Sequence, residues 1–136
     1  KITEPFKYID TSFNQIYLQY SILLSDPNFS LINRSIFNYE GANPGGYNFG
    51  KVFIKNYLDI LYNFTQYGLD KEIISQDKLQ ILQSTLIPWY KRIIENKIDI
   101  DMDNFEGYFE DYYKDEPYFE STVKLFNDIL LASKSL

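Results

Sequence analysis

Four acidic side chains, Asp99, Asp101, Asp103 and Glu110, fall at spacings that gather hard oxygen donors if the chain between them turns as a loop. Carboxylates alternate along 99–103, and Glu110 stands twelfth, where a bidentate side chain closes a calcium site. The same four belong to a longer acidic stretch. Residues 95–120 carry ten carboxylates against Lys97 and Lys114, a net −8, while the other 110 residues hold nine acids and eleven bases. The overall charge of −6 is therefore localised, and Phe105, Tyr108, Phe109, Tyr112, Tyr113, Tyr118 and Phe119 are interleaved with it.

Asp99-Ile-Asp-Met-Asp-Asn-Phe-Glu-Gly-Tyr-Phe-Glu110 resembles the EF-hand loop at its acidic positions 1, 3, 5 and 12. The resemblance covers 12 of 136 residues. It implies a calcium site formed by Asp99, Asp101, Asp103 and Glu110, with the helix before the loop that the motif requires. The sequence departs from the pattern at the sixth position, Asn104 instead of Gly, and at the eighth, Glu106 instead of an aliphatic residue. It also has no second loop to pair with the first.

The acidic stretch has two further readings. In one it is a solvated face, with a short helix from Asn104 burying Phe105, Tyr108 or Phe109, and Tyr112. In the other it docks a basic protein partner through Glu106, Tyr108, Glu110, Asp111, Tyr112, Tyr113, Asp115 and Glu116. Dense negative charge speeds encounter with a cationic surface, and tyrosines anchor the complex. Asp111, Tyr112, Tyr113 and Asp115 are expected to carry most of that binding. Direct nucleic-acid binding is disfavoured, because phosphates are repelled by such a region. In size and composition the chain is similar to small acidic immunity proteins and inhibitors, whose carboxylates take the places of phosphates on a basic target.

The residue inventory excludes much else. The chain has no His and no Cys, so triads and zinc hydrolases built on His, disulfide frameworks and thiolate metal sites are all ruled out. An enzyme built on paired carboxylates remains conceivable, but nothing places such a pair in a cleft, and a non-enzymatic role is expected. Gly45-Gly-Tyr-Asn-Phe-Gly50 lacks the lysine spacing of a phosphate loop and reads as a surface turn. Asn28, Asn33 and Asn63 head Asn-x-Ser/Thr sequons, the last of them inside a helix. No apolar run approaches the ~20 residues of a membrane helix. Lys1 is not an initiator methionine, which suggests a removed signal peptide, tag or neighbouring domain; cytoplasmic and exported locations both stay open, as does an accessory domain of something larger. The abundance of Tyr, Phe, Asn and Ile beside few Ala, Gly and Arg fits an AT-rich coding sequence.

The elements that must position these groups are helices. At 136 residues with 45% hydrophobic and 24% charged side chains, one globular domain spanning 1–136 is expected. Phe6, Ile9, Phe13, Ile16, Tyr20 and Leu23 mark one helix face from Thr3 to Asp26. A short helix over 31–39 and a loop over 41–46 follow. Asn48 is placed to cap a helix running to Tyr67, with Gly68 closing it. Ser75 is expected to cap a long helix from Gln76 to Asn96, with Leu79, Leu82, Leu86, Tyr90 and Ile93 inward and a kink at Pro88. Trp89 beside it reads as a core anchor. A last helix starts near Pro117. Ile98–Met102 alternates as a strand would. The expected fold is all-α: an antiparallel or irregular bundle of four strong helices and one or two short ones.

Overall fold

Five helices make up the framework of residues 4–28, 30 and 46–134, which the computed structural model describes. The all-α expectation holds. α1 is Asn14–Ser25. α2 opens with Phe49 and Gly50 and runs unbroken through a π-helical stretch, Lys51–Asn56, an α-helical middle, Tyr57–Asn63, and a 3₁₀ end, Phe64–Tyr67. α3 is likewise continuous through Lys71–Ile81, Leu82–Leu86 and Ile87–Asn96. α4 is Phe105–Tyr113 and α5 is Phe119–Lys134. None of the described helices is long and apolar enough to cross a membrane.

Local chemistry explains most of the boundaries. The Asn48 side chain accepts the Lys51 N–H at 2.7 Å and so caps α2. Gly68 closes it at φ 96°, a left-handed conformation that costs a glycine nothing. Pro88 has no N–H and its ring crowds the carbonyl four residues back. The helix answers with a π turn immediately upstream, in which the Ile87 N–H reaches the Leu82 carbonyl five residues away. Pro88 thus re-phases α3 without ending it.

Three expectations require correction. The helix from Thr3 begins only at Asn14, and residues 5–13 form turns. Tyr8 sits at φ 64°, its ring 5.4 Å from that of Tyr17, and Lys7 donates to Asn63 Oδ1 at 2.7 Å. These contacts with α1 and α2 outweigh the helical periodicity. α3 starts at Lys71 and is capped by Asp70, whose carboxylate accepts the Glu72 N–H at 2.9 Å, so Ser75 lies inside the helix. Ile98–Met102 forms no strand, only one parallel bridge between Asn48 and Asp101. The short helix expected over 31–39 lies outside the described residues. Trp89 is half-buried against the core, with the Arg92 guanidinium 5.2 Å from its ring.

α4 supplies an aromatic column to the core. Phe105, Phe109 and Tyr113 recur every four residues and so share one helix face. Their rings stack at 6.4 and 4.6 Å, and Phe49 of α2's first turn extends the column, 5.8 Å from Phe105. Phe126 of α5 meets Phe105 and Phe109 edge-on and touches Tyr90 of α3 at 4.4 Å. Offset and edge-on contacts are the geometries aromatic quadrupoles favour, each adding about 0.5–1.5 kcal/mol beyond area burial.

Candidate functional site

Once α4 is pinned by its column, its carboxylates are distributed around the helix and cannot share one face. Glu106 and Glu110 lie on one edge, facing α3 and α5; Asp111 and Asp115 lie on the other, toward the end of α2 and the start of α3. At about 100° per residue, Asp111 points about 140° away from Glu106. The single acidic face expected from the sequence is therefore two.

Tyr113 is not on either. It is fully buried, and its hydroxyl donates to the Lys78 carbonyl at 3.2 Å, which removes it from the docking set. The short helix buries Tyr113 where Tyr112 was expected, because α4 begins at Phe105 and its inward register is 105, 109, 113. Tyr108 is half-buried against Gly50 of α2. Glu116 is mostly enclosed, its side chain 12% exposed, and forms an ion pair of 2.5 Å with Lys78, whose side chain is 4% exposed. Ser75 donates a second hydrogen bond to Glu116 at 2.8 Å. Burial opposes ionisation of Glu116, yet the hydrogen bonds from Lys78 and Ser75 and the lysine's charge outweigh it and hold the carboxyl below its ordinary value. Its charge is neutralised inside the protein.

The remaining members line an open cleft of about 780 Å³ between the end of α2, the first half of α3 and the α4–α5 turn. Tyr62 and Tyr112 stack at 6.4 Å with an interplanar angle of 28°. Asp111 and Asp115 are exposed on the same cleft, and neither forms an ion pair with a described residue. Lys71 stands on the rim, and the Lys78–Glu116 pair lies in the wall. The Tyr112 hydroxyl donates to Asp59, whose other oxygen holds Lys55 at 2.5 Å. Burial first, then that hydrogen bond to Asp59, pushes the Tyr112 phenol well above its ordinary range.

The four residues of the calcium resemblance are not brought together. No three acidic side chains among the described residues converge in an arrangement that could hold a metal ion. Asn104 does turn the chain, at φ 55°, but α4 starts at the next residue. Glu110 is thereby carried more than a full helical turn away from the loop. The Asp101 carboxylate accepts the Asp103 N–H at 2.8 Å, an Asx turn. The loop straps α2 instead: the Asp101 carbonyl accepts from Phe49 N–H and the Asp103 carbonyl from Asn48 Nδ2, both at 2.8 Å. Asp99 stays exposed.

No family model, curated protein or solved structure matches this chain.

Sequence reasoning missed Tyr62, Asp59 and Lys78. Tyr62 and Asp59 meet Tyr112 across about fifty residues, and no local pattern announces such a contact. Lys78 did carry a signal. It stands midway between Ile74 and Leu82, both buried, at the four-residue spacing of an inward helix face. A lysine in such a register needs a buried acid.

Proposed function

We propose that this protein is a small acidic binding module that docks a basic protein partner, of the inhibitor or immunity type, at the Tyr62–Tyr112 cleft. The observation that supports this best is the pairing of a two-tyrosine stack with Asp111 and Asp115, two exposed carboxylates without an internal ion pair, on one concave surface. An arginine is the side chain that suits it. Its planar guanidinium lies flat on a tyrosine ring while its N–H groups reach a carboxylate, and it is less strongly hydrated than a lysine. The tyrosines supply rigid contact area, and the net −8 of residues 95–120 steers the encounter.

The test uses an oligo-arginine peptide as the cationic probe in an amide NMR titration at low salt. Saturable shifts are expected at Tyr62, along Lys71–Lys78 and over Asp111–Glu116. Asp111→Asn with Asp115→Asn should weaken binding by about tenfold, ~1.4 kcal/mol. Raising the salt until the Debye length falls to a few ångströms should suppress the encounter. Shifts confined to other surfaces, or a double variant that binds like the wild type, would remove this cleft as the docking surface.

A further inference from the structure

The other edge of α4 borders a different kind of space. Two adjoining cavities, of about 300 and 500 Å³, run between α4, the second half of α3 and α5. Tyr90, Phe105, Glu106 and Glu110 line both. The floor is aromatic and belongs to the core column: Phe105 is 4% exposed and Phe109 2%. The rim carries Glu106 and Glu110, one helical turn apart, both exposed and in no ion pair with a described residue. No lysine or arginine is among the lining residues of either cavity.

Tyr90 adds an independent observation. It is 4% exposed, contributes to the wall of both cavities, and its hydroxyl makes no hydrogen bond to a described residue. Its ring is buried, and its hydroxyl reaches the solvent of the groove. Here the polar tip is left for whatever occupies the groove.

We infer that this groove binds a small organic cation, an ammonium group carried on an apolar aryl or alkyl body. Three features select that class together. The aromatic floor gives the apolar body a hydrophobic surface to rest on. The two rim carboxylates sit where an ammonium would emerge, and the Tyr90 hydroxyl can accept one of its N–H groups. Anions are repelled by the same rim, and the open groove, about 300 and 500 Å³ in its two parts, falls within the ~300–1,000 Å³ of small-ligand sites. The inference is independent of the protein-docking reading, because none of its residues borders the Tyr62–Tyr112 cleft.

The chain provides its own reporters. Met102 is the one methionine and lines the groove, and of the two valines Val123 lines it while Val52 is buried in the first turns of α2. Methyl-labelled Met and Val in the full chain therefore give two probes at the site and one internal control. Titration with phenethylammonium should move the Met102 and Val123 methyl signals saturably and leave Val52 in place. The neutral isostere 2-phenylethanol should bind about tenfold more weakly, ~1.4 kcal/mol, and 3-phenylpropionate not at all. Glu106→Gln with Glu110→Gln should erase the preference for the cation; both side chains are exposed, and an unmoved Val52 signal confirms that the variant is folded. Absence of saturable shifts would overturn the inference. So would equal binding of cation and alcohol, or a cation preference that survives the double substitution.

Discussion

Breaking the Lys78–Glu116 pair is the perturbation that most directly examines how this fold holds its candidate site. The pair joins the first half of α3 to the α4–α5 turn across 38 residues, at 2.5 Å, with side chains 4% and 12% exposed. At that separation and an effective dielectric near 20, the gross attraction is roughly 6–7 kcal/mol. Desolvating two charges offsets most of it, so the net contribution is small while both partners are present. Removing one is different, because the other charge is then left buried. Lys78→Met should cost about 3–5 kcal/mol, a fall of roughly 10 °C or more in Tm for a chain of this size. The double variant Lys78→Met, Glu116→Gln should recover much of the loss, with a coupling of about 2–3 kcal/mol. Urea unfolding followed by circular dichroism and by the fluorescence of the one tryptophan, Trp89, measures all four corners of the cycle. Acid supplies a second arm. The Glu116 carboxyl is held below its ordinary 4.5 in the folded state. Its contribution is therefore present above that value and disappears as the pH falls through the lowered one. The wild type should lose more stability than the double variant across that window. A single-variant cost below about 1 kcal/mol, typical of an exposed pair, would refute the reasoning, and so would additive single effects.

Two further outcomes follow from the packing. A Cβ placed on Gly50 would lie 3.1 Å from the Phe105 Cα and 3.1 Å from Tyr108 Cδ2, and backbone cannot yield as a flexible side-chain tip does. Gly50→Ala should lower stability by about 1–3 kcal/mol in urea unfolding, despite the better helix propensity of alanine. Burial, then nearby carboxylates, raises the phenols of Tyr90 and Tyr118 to about 12, and Tyr57, Tyr112 and Tyr113 are pushed higher still. A phenol raised in the folded state contributes stability that is complete below its ordinary 10.0 and is lost as the pH climbs through the raised value. An absorbance titration should thus show exposed tyrosines ionising first and a second group ionising together with the loss of helical signal. A single smooth wave near 10, with helicity intact, would count against the buried network.

The fold class and most helices were legible in the residue order, since period and punctuation are local properties. The inward Leu82, Leu86, Tyr90 and Ile93 of α3, the Asn48 cap and the Gly68 stop follow from spacing and from what those side chains do to their own backbone. Leu79, by contrast, stays half-exposed, and Lys78 takes the inward place beside it. The acidic segment, too, was plain as a count of charges. How it divides was not. A charge run has no direction until its helix is rotated, and α4 is rotated by Phe105 and Phe109 meeting Phe49, Phe126 and Tyr90 on three other helices, with Tyr113 hydrogen-bonded to the Lys78 carbonyl. That rotation buried Tyr113, separated Glu106 and Glu110 from Asp111 and Asp115, and carried Glu110 away from Asp99, Asp101 and Asp103. The contacts that complete each surface, Tyr62 on Tyr112 and Tyr90 behind Glu106, join residues far apart in the chain. By itself the sequence determined which side chains and which helices exist, because those depend on neighbours within a few residues. Only the tertiary structure decided which carboxylates share a surface, because long-range aromatic packing sets the register and the charges follow it.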